Sequence, residues 1–337
     1  MALYLITGGA GFIGSNLAEA LLKQGEDVRV LDNFSTGKEE NLSFIKEMNL
    51  SSGRFTLIRE DIRNLSSCHH ACEHVDFVLH QAALGSVPRS IDDPITTNDV
   101  NIQGTLNLLV AARDAKVKRF IYASSSSAYG DPTSTASSDD KPVPKVESQT
   151  PNPQSPYAIS KLTGEYYCHV FYKIFGLETI SLRYFNVFGQ RQDANSAYAA
   201  VIPKFIHSLL SDTPPTIYGN GEQSRDFTHI DNVVQANLKA CHAKQDTLGK
   251  TINTACGTRT TINQLYSKLC EIMDKNITPF YSPPRAGDVK HSLADIRRAR
   301  NLLHYSPEVD VITGLRRSVG WFATTHKNQR LNDTIRL

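Results

Sequence analysis

The chain has 337 residues, 40% of them apolar and 21% charged, so it can bury one large core or two smaller ones. The 36 Lys and Arg nearly balance the 34 Asp and Glu, and no basic cluster is interleaved with aromatic residues, which argues against a nucleic-acid partner. No run approaches the roughly 20 apolar residues that span a bilayer, and a strand-like run begins at residue 2 with no basic segment before it. We therefore expect a cytoplasmic protein that does not bind membranes.

The six cysteines are irregularly spaced, which is not typical of a small disulfide-rich domain, and we expect reduced thiols. Residues 68–74 bring two thiols and three imidazoles together in sequence. A structural zinc site usually takes four ligands from two separated pairs, and no second pair is evident. We predict no metal here but a helix that carries Cys68 and Cys72 one turn apart on its buried face; a metal site is the alternative.

Strand-like and helix-like segments alternate along the first half of the chain. Strands are predicted at residues 2–7, 27–32, 55–59, 75–80, 118–124 and 177–183, and helices at 12–24, near 64–73, near 98–115 and at 157–175. This alternation predicts an α/β fold with a doubly wound parallel sheet. Residues 131–156, rich in Ser, Pro, Thr and Asp, predict a surface loop.

Mixed short elements, with many Pro and Gly residues, follow residue 190 or so. We therefore predict a first domain at residues 1–189 and a smaller C-terminal α/β domain at 190–337. Segments near 226–256 are expected to return to the first domain.

A glycine-rich turn, Thr7-Gly8-Gly9-Ala10-Gly11-Phe12-Ile13-Gly14, joins the first strand to the first helix. Glycines spaced by three permit a tight turn, and backbone N–H groups at the helix N-terminus then approach a pyrophosphate. Asp32 follows Gly14 by 18 residues, at the end of the second strand, where a carboxylate binds a ribose 2′-OH. The pattern predicts a dinucleotide-binding Rossmann domain; a turn needed only for packing is the alternative.

Several residues after the glycine turn concern the cofactor. Asp32 repels a 2′-phosphate and so favours NAD, while Lys38 and Arg29 keep NADP as an alternative. Asp61 and Ile62 follow the third strand and are predicted to contact adenine. A solvated turn aspartate is the other interpretation of Asp61.

Tyr157 and Lys161 stand four residues apart at the start of a predicted helix, and hence one turn apart on one face. An ammonium near a phenol stabilises the phenolate and lowers the tyrosine pKa from about 10 toward neutrality. A general base acting on a hydroxyl needs such a pKa. The Tyr-x-x-x-Lys pattern is common by itself, and a solvated helix face is the alternative.

The glycine pattern, Tyr157-x-x-x-Lys161 and the serine run 124–127 together resemble the extended short-chain dehydrogenase/reductase family, and within it the nucleotide-sugar 4-epimerases. The likeness covers nearly the whole chain. Its other motifs are Asp32-Asn33, His80-Gln81-Ala82-Ala83, Asn101-Ile-Gln-Gly104-Thr105, Leu182-Arg-Tyr184-Phe185-Asn186-Val-Phe-Gly189, Ser224-Arg225-Asp226-Phe227 and Arg285-Ala-Gly-Asp288. Two segments, Gly85-Ser86-Val87-Pro88-Arg89-Ser90 and Tyr198-Ala-Ala-Val-Ile-Pro203, are most similar to bacterial 4-epimerases of UDP-N-acetylglucosamine and its uronic acid, which feed surface polysaccharides.

The resemblance implies residue roles. Ser125, Tyr157 and Lys161 would be catalytic, with Ser126 and Ser127 as alternatives to Ser125. The residues expected to bind NAD are Gly8, Gly11, Phe12, Ile13, Gly14, Asp32, Asn33, Asp61, Ile62, Gln81, Ala82, Ala83, Asn101, Tyr157, Lys161 and Tyr184. Those expected to bind the UDP-sugar are Ser86, Arg89, Ser125, Ser127, Tyr157, Asn186, Val201, Tyr218, Arg225, Arg285, Asp288 and Ser292. Among the latter, Arg225 and Arg285 would hold the diphosphate, and Ser292 would face the 2-substituent of the hexose.

The resemblance also implies the reaction. An NAD-dependent 4-epimerase would interconvert UDP-N-acetylglucosamine and UDP-N-acetylgalactosamine, or the corresponding uronic acids, through a 4-keto sugar. The alternatives are a UDP-glucuronate 4-epimerase or decarboxylase and a non-catalytic NAD-sensing protein. A homodimer formed through helices 98–115 and 157–175 is implied as well.

Overall fold

The computed structural model describes residues 1–48, 54–130, 143–194, 200–284 and 290–335. Its strands are β1 (Leu3–Thr7), β2 (Asp27–Leu31), β3 (Phe55–Ile58), β4 (Phe77–His80), β5 (Arg119–Ser125), β6 (Glu178–Tyr184), β7 (Val187–Phe188), β8 (Thr216–Tyr218), β9 (Ser224–Arg225), β10 (Thr228–His229), β11 (Lys250–Thr254), β12 (Thr260–Thr261) and β13 (Phe280–Ser282). Seven of them form one parallel sheet in the order β11-β6-β5-β4-β1-β2-β3. The predicted doubly wound parallel sheet is therefore confirmed.

The helices are α1 (Phe12–Lys23), α2 (Phe44–Glu47), α3 (Leu65–Cys72), α4 (Val87–Asp92), α5 (Pro94–Asn98), α6 (Gly104–Asp114), α7 (Pro156–Phe175), α8 (Val201–Leu210), α9 (Ile230–Cys241), α10 (Ile262–Met273), α11 (Arg297–Leu303) and α12 (Val311–Ile335). One core joins α1, α9 and α11 to the sheet, and a second core joins α3, α6 and α7 to it. Helices thus cover both faces. This explains why strands such as β4 are apolar at successive positions and not at alternate ones.

A separate apolar cluster holds together α8, α10 and α12 in the C-terminal part of the chain. The segment predicted to return to the first domain contains α9, which packs on α1, and β11, which is the edge strand beside β6. Ligands of open α/β sheets bind at the carboxyl ends of the strands, and β1, β4, β5 and β6 end at Thr7, His80, Ser125 and Tyr184.

The predicted helix near residues 98–115 is interrupted. A π-helical turn at Asp99–Gln103 joins α5 to α6, and the Thr105 hydroxyl donates to the Asn101 carbonyl at 2.6 Å. Apolar spacing does not reveal such a turn, because the buried positions before and after it keep helical intervals. Residues 131–142 of the predicted surface loop lie outside the described residues.

Cys68 and Cys72 lie on α3 with fully buried side chains, as predicted for its inner face. Within the described ranges, no group of three or more His, Cys, Asp and Glu is arranged to hold a metal ion. Over the same ranges, no helix combines the length and the apolar character needed to cross a membrane.

Candidate active site

The glycine turn leaves the N-terminus of α1 open to a ligand. Gly8 has a φ of 67°, and a Cβ on Gly14 would lie 2.2 Å from the Gly8 carbonyl oxygen, so neither position tolerates a larger residue. Gly11 caps the helix without a side chain. The free N–H groups and the positive end of the helix dipole therefore form a cradle that fits a pyrophosphate.

Asp32 lies at the end of β2 beside this turn, and only 7% of it is exposed. Its carboxylate accepts hydrogen bonds from the backbone N–H groups of Ala10 and Phe34, both at 2.8 Å. Burial raises the pKa of Asp32, and the two hydrogen bonds oppose that rise. The backbone thus fixes the carboxylate where the glycine turn would place an adenosine ribose.

The two basic residues that kept NADP as an alternative have other partners. Arg29 donates to the carbonyls of Ala71 and Glu73 at 2.9 and 2.8 Å. Lys38 forms an ion pair with Asp193, 3.0 Å from Nζ to Oδ1. Their positions favour NAD, because neither guanidinium nor ammonium is held at the Asp32 carboxylate.

A groove of about 1020 Å³ runs along this edge of the sheet, which is large enough for a dinucleotide. Twelve of the residues predicted to bind NAD line it: Gly8, Gly11, Phe12, Ile13, Gly14, Asp32, Asn33, Asp61, Ile62, Gln81, Ala82 and Ala83. Ser86 and Arg89, predicted to face the hexose, line the same groove. The residues present therefore fit NAD.

Asp61 is already paired within the protein. Asn33 donates to it at 2.8 Å and Arg63 at 2.7 Å, and the Arg63 hydrogen bond lowers the pKa of Asp61 to about 2. Its position on the groove wall is compatible with the predicted contact to adenine. The sequence analysis did not predict the ion pair between Asp61 and Arg63.

Asn101 and Tyr184, which are expected to contact the cofactor, have buried side chains with partners inside the protein. Asn101 is buried; its oxygen accepts from Leu84 N–H at 2.8 Å, and its amide donates to the Ser160 hydroxyl at 3.0 Å. The Tyr184 hydroxyl accepts from Asn237 at 2.8 Å and donates to Gln81 at 3.3 Å. Both side chains therefore form hydrogen bonds within the protein, and their contact with NAD stays a prediction.

Tyr157 and Ser125 meet at the carboxyl edge of the sheet. Tyr157 lies in the first turn of α7 and Ser125 ends β5, and the Ser125 hydroxyl lowers the pKa of Tyr157. Ser127 donates to the Ser125 hydroxyl at 2.9 Å, whereas Ser124 donates to buried Glu165 on the other side of the strand. This arrangement supports Ser125, within the serine run, as the partner of the tyrosine.

Lys161 lies one turn after Tyr157, and its ammonium donates to the Ala123 carbonyl at 2.8 Å. Its Nζ is 6.0 Å from the centre of the Tyr157 ring, and burial lowers the Lys161 pKa to about 8. Burial also raises the pKa of Tyr157 above its ordinary value, and Ser125 opposes the rise. Positive charge near the phenol, from Lys161 and from bound NAD⁺, is what would favour the phenolate, and this role of Lys161 stays a prediction.

Three of the predicted substrate residues cluster around β9. The Arg225 guanidinium donates to the carbonyls of Ser224 and Lys290, and Ser292 N–H donates to the Ser224 carbonyl at 3.0 Å. Asn186, with a φ of 36°, donates to the Asp226 carbonyl at 3.2 Å. Val201 begins α8 and Tyr218 ends β8. Arg285, Asp288 and Tyr198 lie outside the described residues.

Comparison with known proteins agrees with this geometry. The model of the NAD dependent epimerase/dehydratase family matches residues 4–255. The chain belongs to this family.

Several relatives of this epimerase chain are similar over nearly its whole length. A UDP-N-acetylglucosamine 4-epimerase from Methanobrevibacter ruminantium, solved with UDP-N-acetylmuramic acid, is 38% identical with a TM-score of 0.87, covering 96% of this chain and 99% of that one. A UDP-glucuronic acid 4-epimerase from Bacillus cereus, solved with UDP-glucuronic acid and NAD, is 35% identical with a TM-score of 0.86 and the same coverage. A putative UDP-glucose 4-epimerase from Methanocaldococcus jannaschii is 34% identical, covering 96% of this chain and 99% of its own length. The predicted family, the NAD cofactor and an isomerase of the UDP-sugar 4-epimerase class are confirmed.

Asp226 of this epimerase lies within a motif to which sequence reasoning gave no role. Its buried carboxylate accepts from the N–H groups of Cys256, Gly257 and Ala294, and burial raises its pKa to about 7. Asp226, which directly follows Arg225, therefore connects this motif to two other segments of the chain. Arg191 and Asp193 also line the groove. No local sequence pattern indicates them, because their partners Glu19 and Lys38 are distant in the sequence.

Replacing Asp32 with alanine is expected to weaken NAD binding about tenfold or more, the scale of a lost charge-assisted hydrogen bond. NADP should be affected less, because the repulsion of its 2′-phosphate disappears together with the carboxylate. Fluorescence titration of both cofactors measures this change in preference. Asp76→Ala is the matched control, since that carboxylate pairs with Lys118 and Leu3 N–H at the opposite edge of the sheet. Unchanged affinities for both cofactors would contradict the ribose role.

Proposed function

We propose that this epimerase interconverts UDP-N-acetylglucosamine and UDP-N-acetylgalactosamine, or the corresponding uronic acids, through a 4-keto sugar, for surface polysaccharide precursors. The observation that carries the chemistry is the position of Tyr157, in the first turn of α7, beside Ser125, at the end of β5, on the edge of the sheet where the cofactor groove runs. A base and a hydroxyl donor at that edge can act on one sugar oxygen. A protein that only senses NAD has no use for this pair.

Tyr157 removes the proton from the sugar 4-OH and later returns it. Ser125 hydrogen-bonds the same sugar oxygen and so assists the transfer. When NAD⁺ is bound, it supplies the acceptor and then the donor of the C4 hydride, and its positive charge favours the phenolate. The keto sugar turns about its link to UDP between the two transfers, while the nucleotide is held by residues such as Arg225, whose guanidinium suits a diphosphate.

The N-acetyl preference rests on Ser292. This small residue is 6% exposed, and its backbone is fixed to the Ser224 carbonyl beside Arg225. A serine leaves room for a large 2-substituent where a bulky side chain would not. The likeness to the UDP-N-acetylglucosamine 4-epimerase of Methanobrevibacter ruminantium supports the same substrate class.

An NMR assay with four UDP-sugars, each added separately, tests the proposal. UDP-N-acetylglucosamine, its uronic acid, UDP-glucose and UDP-glucuronic acid are the substrates to compare. The proposal expects 4-epimerisation of the N-acetyl sugars with no net change in nicotinamide absorbance. Turnover of UDP-glucuronic acid alone, or release of CO₂ from it, would replace the proposal with the glucuronate alternative.

Ser292→Tyr is expected to abolish turnover of UDP-N-acetylglucosamine and UDP-N-acetylgalactosamine and to spare UDP-glucose, which carries only a hydroxyl at C2. Rates for all three sugars and a melting curve are the measurements. Ser67→Tyr, on α3, is the control for the insertion of a tyrosine at a buried serine. Retained turnover of the N-acetyl sugars, or equal loss for every sugar, would refute the role of Ser292.

We also propose that the protein is a homodimer that pairs through α7 and its neighbours. The exposed face of α7 carries an apolar stripe: Ile159, Tyr166, Val170 and Ile174 are 50%, 58%, 40% and 70% exposed and recur at helical intervals. Ile91 and Ile95, on the adjacent helices α4 and α5, extend the apolar surface. A surface of this kind on a soluble enzyme is typical of a subunit interface.

Ile174→Asp is therefore expected to convert the dimer to a monomer, because it places a charge within a contact that is buried in the proposed dimer. Sedimentation velocity measures the change. Ile312→Asp is the matched control, since Ile312 is a partly exposed apolar residue on α12, outside this surface. A variant at 174 with the sedimentation coefficient of the wild type would contradict the proposed interface.

A further inference from the structure

A buried polar network connects the turn that carries Ser125 with the segment that carries Ser292. At its centre is Asn253 on β11, whose side chain is fully buried. Its amide oxygen accepts from the Tyr129 hydroxyl at 2.7 Å, and its amide nitrogen donates to the carbonyls of Lys145 and Asp295 at 2.9 and 3.0 Å. Both amide hydrogens and the oxygen are thus used, and each bond reaches a different part of the chain.

The Tyr129 end of the network is fixed to the catalytic helix. Tyr129 closes the short 3₁₀ helix that directly follows Ser125, and its ring lies 4.3 Å below the Arg183 guanidinium. Arg183 forms a bidentate pair with Glu165, with distances of 2.7 and 2.6 Å. Glu165 lies on α7 one turn beyond Lys161 and also accepts from Ser124. The serine turn and the base are therefore held as one unit.

The other end of the network is fixed to the substrate side. Lys145 N–H donates to the Leu293 carbonyl at 2.8 Å, and Asp295 N–H donates to the Lys145 carbonyl at 3.0 Å. The buried Lys145 ammonium donates to the Gly130 carbonyl at 2.9 Å, at the end of the serine turn. Ser292 directly precedes the residues that Lys145 and Asn253 hold.

We propose that Asn253 is a positioning residue that sets the separation between the Ser125 turn and the Ser292 segment. In this role it determines the affinity for the UDP-sugar and the discrimination at its 2-substituent, and it does so through other residues and not by touching the sugar. The inference rests on the proposed function, because the role of Ser292 does. An asparagine suits the position, since one planar amide must accept a hydroxyl hydrogen on one side and donate to two carbonyls on the other.

Asn253→Ser is expected to raise the KM for UDP-N-acetylglucosamine about tenfold, the scale of an unpaired buried group, and to leave kcat within roughly twofold of the wild type. The KM for UDP-glucose should rise less, and the bound NAD should be unchanged. Tyr129→Phe removes one donor and keeps the ring, so it should shift the same KM values in the same direction by less.

Asn232→Ser is the matched control. Asn232 is also buried, and its hydrogen-bond partners are Glu308, Val309 and Cys256, whereas those of Asn253 include Lys145 and Asp295. Both serine variants should lower the melting temperature, but only Asn253→Ser should change the KM values. This difference separates positioning from general loss of stability.

Equal KM values in the wild type and Asn253→Ser would overturn the inference. If Asn253→Ser does not fold, Tyr129→Phe decides, and an unchanged KM in that variant overturns it. Failure of the proposed function appears separately, as a wild-type enzyme that leaves UDP-N-acetylglucosamine unchanged. The KM values are then measured for whichever UDP-sugar the wild type converts, and a shift in Asn253→Ser still supports the positioning role.

Discussion

Replacing Tyr157 with phenylalanine is expected to lower epimerase turnover at least about a hundredfold, the scale of a lost general base. The ring and its packing are retained, so the fold and the NAD content should stay close to those of the wild type. The hydroxyl, on whose pKa Ser125 acts, is the group that changes. The NMR rate with UDP-N-acetylglucosamine, the NAD content and the melting temperature are the measurements.

Tyr172→Phe is the control for this substitution, because it removes a hydroxyl further along the same helix. That variant should retain wild-type turnover. A Tyr157→Phe enzyme with near-normal turnover would show that another group carries the proton. A variant that loses NAD along with turnover would instead place Tyr157 in cofactor retention.

The local parts of the fold and site follow from short stretches of sequence. The run of apolar residues before Gly8, the glycine spacing and the 18-residue interval from Gly14 to Asp32 are properties of one βαβ unit. Such a unit has few alternatives, because a crossover between parallel strands must be right-handed and cover the sheet. The same reasoning correctly gave Cys68 and Cys72 as buried residues, since their spacing is one helical turn.

The parts that sequence reasoning missed depend on contacts between distant segments. Asn253 binds Tyr129, Lys145 and Asp295, which lie up to 124 positions away from it, and no local pattern reports that meeting. Asn101 likewise binds Leu84 and Ser160, which are 17 and 59 positions away, and only the tertiary structure shows these partners.

The pKa values of Tyr157 and Lys161 also depend on the tertiary structure and not on sequence spacing alone. A four-residue interval places Lys161 near Tyr157, but the sign of the resulting pKa shift depends on burial, which sequence spacing does not give. Both groups lose water on folding, so the pKa of the lysine falls to about 8 and that of the tyrosine rises. The enzyme therefore keeps a buried charge at a cost to its own stability, as active sites often do.

Replacing Lys161 with methionine is expected to reduce turnover near neutral pH more than Tyr157→Phe does, by at least about a thousandfold. The substitution removes the positive charge that lies 6.0 Å from the phenol ring, and the burial of Tyr157 is then opposed only by Ser125 and by bound NAD⁺. The acid limb of the pH–rate profile should consequently move to higher pH. An unshifted profile would contradict the electrostatic role of Lys161.

The same variant tests the burial of the charge through stability. The Lys161 pKa is about 8 in the folded protein and ordinarily 10.5, so between these values the unfolded chain binds more protons than the folded one. Wild-type stability relative to Lys161→Met should therefore be constant below pH 8 and rise between pH 8 and 10.5. The full rise is on the order of 3 kcal/mol, at about 1.4 kcal/mol for each unit of pKa difference.

Urea unfolding of both proteins at a series of pH values measures this rise in stability. Lys268→Met, which removes an exposed lysine on α10, should show no such rise. A stability difference between wild type and Lys161→Met that stays constant over the whole interval would mean that Lys161 titrates at its ordinary pKa, and the charge would then not be buried.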